Sequence, residues 1–358
     1  MTRIILLCLL CLTACGKTPS PDPTPETEPY FPPNTGTWES TAPEALSWNT
    51  SEIENLKTLL ENNGTRAFIL LVKGRIVIEE YFGKNLLNLL PFTKNTRWYW
   101  ASAGKTLTAF AVGKAAEEGF LSLNDKSNQY LHTGWTSLSP EQEDQITILH
   151  QLTMTSGLND TIDNFDTSPE NLQYLAAPGS RWAYHNATYT LLHDVISNAT
   201  NQDFETYLKS KLMDKIGMDG DWNWVGKNHI YFSTARSMAR FGLLIQNNGI
   251  WKDERLINET FLTKQKTPSQ TINESYGYLW WLNGQSSYML PASQTIFPGS
   301  LIPSAPADMY CGLGANGQYL CIIPSKDMVI VRMGENPDDS LAPISFLDDI
   351  WKLLNKIL

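Results

Sequence analysis

The chain has 358 residues, 42% of them hydrophobic and only 18% charged, with 27 Lys and Arg against 37 Asp and Glu for a net charge of −10. That is enough apolar content for one large folded domain or two modest ones, and it excludes a disordered chain. An acidic surface repels the phosphate backbone, so no nucleic-acid partner is expected.

The first fourteen residues, MTRIILLCLLCLTA, set Arg3 ahead of an apolar run too short to span a bilayer, the form of a cleaved secretory signal peptide. Leu12-Thr13-Ala14-Cys15 resembles the bacterial lipobox, so Cys15 is expected to become the lipid-bearing first residue. Seven prolines between residues 17 and 37 then read as an extended tether over 15–40. Gly16, rather than Asp, after the cysteine favours the outer membrane by analogy, so the expected location is the bacterial cell envelope, lipid-anchored and facing the periplasm. Cys8 and Cys11 leave with the signal, and only Cys311 and Cys321 remain beside the lipidated Cys15, a pairable number in an oxidising compartment.

Residues 41–358 read as the folded domain. Ser51 and Glu54 form a capping-box pattern ahead of an amphipathic helix carrying Ile53, Leu56, Leu59 and Leu60 as far as Gly64. RAFILLV and RIVIEEYFG follow as a hairpin through Lys73-Gly74. From 101 to about 300 the pattern is mostly helical; QYLCIIP and DMVIVRMG are strands again, and APISFLDDIWKLLNKIL is a terminal amphipathic helix. The expected fold class is α+β, a three-layer α/β/α sandwich. One antiparallel sheet is built from both ends of the domain (about 50–100 and 300–358) and flanked by terminal helices. A mostly helical lobe (about 101–300) is inserted, with a pocket between the two.

The segment WYWASAGKTLTAF, residues 98–110, holds the chemistry. Gly104-Lys105-Thr106 imitates the tail of a phosphate-binding loop, but Tyr99 stands where the first glycine is required, between Trp98 and Trp100. The G-x-S-x-G elbow fails as well, because Trp100 replaces its first glycine. S-x-x-K remains: on a helix predicted from 102 to about 118, Ser102 and Lys105 share a face. Burial near the helix N-terminus lowers the lysine pKa enough for it to take the serine proton. Downstream, after the turn at Pro178-Gly179, comes Tyr184-x-Asn186. A phenol titrates near 10, so Tyr184 acts as a base only beside a positive charge, and Lys105 is the expected source.

These motifs occur with GFLSLNDKSNQYL, ITILHQLTMTSGL, FETYLKSKLMDKIGM, SMARFGLLIQNNGIW and YGYLWWLN, in that order. Over roughly residues 50–335 the chain resembles the serine β-lactamase and penicillin-binding-protein superfamily, in the class C-like branch that contains DD-peptidases, esterases and 6-aminohexanoate-oligomer hydrolases. The resemblance implies that Ser102 is the acylated nucleophile, Lys105 its base or proton relay, and Tyr184 the group passing a proton to the leaving atom. Asn186 would orient Lys105 and the substrate. It places a third motif at Gly312-Leu313-Gly314, with the Ala315 backbone N–H completing an oxyanion hole beside that of Ser102, and Leu313 as the alternative donor. No cation occupies the first position of that motif, so a substrate carboxylate lacks its expected partner.

Cys311 and Cys321 are equidistant from Asn316, so a tight turn there sets them across from each other; a disulfide is expected, with two buried thiols as the alternative. His132, His150, His185, His193 and His229 show no metal spacing, and neither metal nor other cofactor is expected. Trp98, Trp100, Trp182, Trp280 and Trp281 flank the motifs, some as pocket walls and more than half as core. The first functional reading is an envelope-anchored serine hydrolase that forms an acyl-enzyme on a small ester or amide, its membrane contact through lipid on Cys15. The alternatives are a DD-peptidase or β-lactamase, and a catalytically idle binding module. The oligomeric state is not written in the sequence.

Overall fold

The computed structural model describes residues 28–338, 340 and 342–358. The expected signal peptide, Cys15 and the expected tether up to residue 27 lie outside the described residues. The expected tether to residue 40 needs correction, because the chain is already tied to the domain at Tyr30, Phe31 and Pro32 and again at Trp38 and Ser40. The Tyr30 amide donates to the Lys73 carbonyl at 2.9 Å, the Trp38 indole to the Gly74 carbonyl at 2.7 Å, and the Phe31 ring packs edge-on against Trp251. Arg240 Nη1 donates to the carbonyl of Pro32 at 3.2 Å. Three aromatics too irregularly spaced to make a period bury one at a time, and proline carbonyls need no N–H to serve as acceptors.

A 3₁₀ turn, Thr50–Glu52, precedes the first long helix, Ile53–Asn62. The Ser51–Glu54 capping box is not formed. Asn49 Oδ1 accepts both the Ser51 amide at 3.3 Å and the Ser51 hydroxyl at 2.6 Å, which takes the serine oxygen away from the helix start.

The strands in chain order are β1 Thr65–Val72, β2 Arg75–Tyr81, β3 Trp98–Tyr99, β4 Asp221–Val225 and β5 Asn228–Ser233, then the small pair β6 Ile250–Trp251 and β7 Glu254–Arg255. After them come β8 Trp281–Leu282, the pair β9 Ser287–Tyr288 and β10 Phe297–Pro298, then β11 Tyr310–Gly314, β12 Gln318–Ile323 and β13 Met328–Gly334. The main sheet is antiparallel, in the order β2-β1-β13-β12-β11-β8. Strands from both ends of the domain therefore meet at β1 and β13.

β1, β12 and β13 read as nearly unbroken apolar runs because both faces of the sheet are covered. Gly242, on the helix Ala235–Gln246, lies so close to Val329 and Leu320 that a Cβ there would be 2.5 Å from Val329 Cγ1. Tyr319, the strand neighbour of Leu320 and so on the opposite face, packs on Phe346 of the terminal helix Ile344–Ile357. This is the three-layer α+β arrangement.

The middle of the chain is less purely helical than its pattern. β3, β5 and β4 form a separate antiparallel sheet, with Trp98 opposite Ser233, and β8 extends the main sheet from within the same stretch. Between these sheets the helices Lys105–Glu117 and Asn186–Thr200 pack on each other.

Candidate active site

Ser102 lies in a 3₁₀ turn, Ala101–Gly104, which runs into the helix Lys105–Glu117; the α-helix begins three residues later than the pattern predicts. Ala101 has φ of 46°, a left-handed conformation unusual for alanine, so the backbone is strained immediately before the serine. Aromatic anchors hold it there. The Trp100 amide donates to the Tyr231 carbonyl and the Trp100 indole to Ser233 Oγ, both at 2.8 Å. Trp98, Trp100, Trp182 and Trp280 are buried in the core, whereas Trp281 forms part of the cleft wall.

Lys105 is 2% exposed. Its Nζ donates to Ser102 Oγ at 3.0 Å and to Asn186 Oδ1 at 2.8 Å, and it sits 4.0 Å from the Tyr189 ring centroid and 4.9 Å from that of Tyr184. All four neighbours are neutral. Burial therefore holds the amine well below its ordinary pKa, which favours the uncharged form able to accept a proton.

Tyr184 stacks on Trp281, with ring centroids 5.8 Å apart. Burial pushes its phenol above the ordinary value, the Ser102 hydroxyl offsets part of that, and Tyr189 adds to it. Burial thus works against the positive charge on Lys105 that a Tyr184 phenolate would need, and it favours the protonated phenol.

Asn186 opens the helix Asn186–Thr200. Its Nδ2 donates to Asn164 Oδ1 at 3.2 Å, and the Ala187 amide donates to the Asn164 carbonyl at 2.7 Å. Asn164 carries no signal in the sequence; it stands in an irregular stretch of Asp, Asn and Thr. Tyr189 was legible in principle, being three residues after Asn186 on one helix face.

The cleft has a volume of about 310 Å³ and is lined by Ser102, Lys105, Tyr184 and Asn186, with Asn164, Phe165, Tyr189, Asn228, Ile230 and Trp281 around them and Leu313, Gly314 and Ala315 along one edge. Lys105 is the one ionisable amine in that lining, and no carboxylate, arginine or histidine joins it among the described residues. β5 contributes Asn228 and Ile230, so the small second sheet builds one wall.

The β11–β12 hairpin turns at Asn316, whose φ is 63°, with Gly314 opposite Gln318. Gly312 lies behind the cleft, where a Cβ would be 2.9 Å from Thr106 Cγ2. At Gly314 a Cβ would be 2.4 Å from the Trp100 carbonyl and 3.1 Å from the Ala103 amide nitrogen. Both glycines let β11 lie flush against the turn that carries Ser102.

Arg332, fully buried, holds the hairpin: Nη1 donates to the carbonyls of Asn316 at 2.6 Å and Gly317 at 2.9 Å, and Nη2 to that of Asn63 at 2.8 Å. Gln318 Nε2 adds a bond to the Asn316 carbonyl at 3.1 Å. A charged residue within the apolar run VIVRMG was the available signal for this clamp, since a buried charge needs compensating partners.

Cys311 and Cys321 are directly opposed, as the turn at Asn316 requires, but they are free thiols with sulfurs 2.8 Å apart. The expected disulfide is corrected to a buried thiol pair. Burial and the neighbouring sulfur raise the Cys311 pKa, which keeps it protonated and unreactive. Three of the histidines make structural bonds: His150 Nδ1 accepts the Thr147 amide at 3.1 Å, and buried His193 meets Thr108 Oγ1 at 2.9 Å and His229 Nδ1 at 3.1 Å.

The model of the Beta-lactamase family matches residues 57–339. An uncharacterized protein of Alkalihalophilus pseudofirmus is 26% identical over 339 residues, covering 86% of this chain and 94% of that one. A Beta-lactamase of Escherichia coli is 22% identical over 320 residues, covering 75% and 82% respectively. Among solved structures, a putative 6-aminohexanoate-dimer hydrolase from Bacillus anthracis shares the fold with a TM-score of 0.66 at 21% identity, over 91% of this chain and 90% of that one. A match that spans most of the chain, on the fold and cleft described above, makes this protein a member of the Beta-lactamase family.

Proposed function

We propose that the protein is a serine hydrolase that cleaves an uncharged ester or amide through an acyl-enzyme on Ser102. The observation that carries this reading is the buried Lys105 amine, bonded at once to Ser102 Oγ at 3.0 Å and to Asn186 Oδ1 at 2.8 Å. Lys105 takes the hydroxyl proton as Ser102 Oγ attacks the carbonyl carbon. The ammonium that forms faces the Tyr189 and Tyr184 rings, whose π-clouds favour it over the ground-state amine. The backbone N–H groups of Ser102 and Ala315 receive the oxyanion. Tyr184, protonated at rest, gives its proton to the leaving oxygen or nitrogen and is reprotonated from Lys105. Water then repeats the sequence on the acyl-enzyme and releases Ser102.

The substrate is uncharged at its recognised end, because among the described residues the cleft offers no arginine, histidine or second lysine to pair a carboxylate. That weighs against penicillins and D-alanyl termini. The fold neighbour named for a 6-aminohexanoate dimer is in keeping with amide cleavage. Anchoring to the cell envelope through lipid on Cys15 belongs to the same proposal and rests on the sequence.

The test incubates the protein and its Ser102→Ala variant with a fluorophosphonate probe, p-nitrophenyl butyrate and a chromogenic cephalosporin. The expected result is serine-dependent labelling and ester turnover without cephalosporin turnover. Cephalosporin turnover without ester turnover would assign the cell-wall reading instead, and no labelling at all would leave a binding module.

A further inference from the structure

The loop after β2 presents an apolar knuckle to solvent. Leu86, Leu87, Leu89 and Leu90 are 48%, 73%, 71% and 64% exposed, within five residues of one another. The loop is built: the Asn85 amide donates to the Leu90 carbonyl at 2.9 Å, and the Asn88 amide to the Asn85 carbonyl at 2.8 Å. Asn85 Oδ1 accepts the amides of Leu89 at 3.0 Å and Leu90 at 3.3 Å. Phe92, buried between Tyr81 and Trp98, pegs its far end to the core.

We infer that this knuckle inserts into the surface of an anionic phospholipid bilayer, as a second membrane contact beside the lipid proposed on Cys15. Three observations choose that occupant. The amides of Asn85, Asn88, Leu89 and Leu90 are satisfied within the loop, which lowers the cost of bringing its backbone to the bilayer interface. In a chain of net charge −10, the stretch from residue 82 to 97 has no Asp or Glu; its Arg97 is paired with Asp219 and Asp221, while the exposed Lys84 and Lys94 flank the leucines along the chain. That is a local charge complementary to anionic headgroups.

The reach also fits. The described chain enters at the β1–β2 turn, where Tyr30 bonds Lys73, whereas the knuckle follows the opposite end of β2. β2 spans roughly 23 Å at about 3.3 Å per residue. The residues between Cys15 and Glu28 extend at most roughly 45 Å. One membrane plane can therefore hold both contacts. The inference draws on the anchoring reading only for this geometry.

The test uses the full chain with Cys8, Cys11 and Cys15 replaced by Ser, so that no lipid can be attached, and an environment-sensitive fluorophore on Leu89→Cys, with a control label on Asp253→Cys. Folding is read from the thermal transition, so the result holds whatever Ser102 does. The expected result is a blue shift at position 89, and none at 253, on vesicles containing phosphatidylglycerol. Leu86→Asn, Leu87→Asn and Leu90→Asn together should weaken vesicle binding about tenfold or more, and Lys84→Glu with Lys94→Glu should remove the preference for the anionic lipid. A folded, labelled protein whose position 89 stays in water while vesicles bind it elsewhere overturns the inference. So does a shift that appears without vesicles and grows with protein concentration, which would assign the knuckle to a second copy of the chain.

Discussion

Replacing Gly314 by Ala tests how tightly the β11 edge is held to the nucleophile. The residue has φ −119° and ψ 153°, a strand conformation any amino acid adopts, so the backbone itself accepts alanine. The obstacle is contact. The new Cβ would lie 2.4 Å from the Trp100 carbonyl oxygen, against about 3.4 Å for an ordinary approach, so the two backbones must part by roughly 1 Å. Trp100 is pinned through its amide to Tyr231 and through its indole to Ser233, so the displacement falls on β11 and on the Ala315 N–H beyond it.

A misplacement of about 1 Å costs roughly a hundredfold in rate, and loss of an oxyanion donor sets the scale at about 10² to 10³ in kcat. Overpacking of this kind destabilises by about 1–3 kcal/mol, a fall of a few degrees in Tm for a domain of this size. Steady-state hydrolysis of p-nitrophenyl butyrate and differential scanning calorimetry read both effects. Gly312→Ala, which meets a Thr106 methyl at 2.9 Å, is the milder comparison. Turnover by Gly314→Ala within twofold of wild type would refute the placement of the oxyanion donor on this edge.

Because Lys105 must be uncharged to accept the serine proton, kcat/KM should fall as pH drops through its lowered pKa, and Lys105→Arg, charged at every working pH, should be inactive. The same depression makes stability rise with pH between the folded-state pKa and the unfolded value near about 10.4, a slope that Lys105→Met should remove from pH-dependent unfolding curves. Asn186→Ala should lower kcat by at least about tenfold and cost about 1–3 kcal/mol in denaturant titrations, since the amine loses one of its two hydrogen-bond partners and Asn164 Oδ1 loses its donor. Arg332→Lys cannot reproduce the forked bonds to Asn316, Gly317 and Asn63; it should cost on the order of 3 kcal/mol and lower kcat more than it raises KM, because the hairpin that carries Ala315 loosens. Unfolded in denaturant without reductant, a chain in which Cys8, Cys11 and Cys15 are Ser should react with two equivalents of a thiol reagent; none reacting would mean that Cys311 and Cys321 are bonded.

The sequence by itself determined what neighbours along the chain decide. The hairpin through Lys73-Gly74, the turn at Asn316, the terminal helix and the placing of Ser102 and Lys105 on one turn follow from residues within a few positions of each other, whose backbone preferences act locally. The tertiary structure decided what depends on distant segments. Lys105 and Asn186 are 81 positions apart, Asn186 and Asn164 are 22, and Arg332 reaches back 269 positions to Asn63. The protonation of the site was hidden for the same reason: a pattern shows which groups are titratable, whereas their pKa values depend on how much water packing removes, and that burial raises Tyr184 and lowers Lys105. Residues 30–40 carry the same lesson, since isolated aromatics become core only where another part of the chain supplies the cavity to receive them.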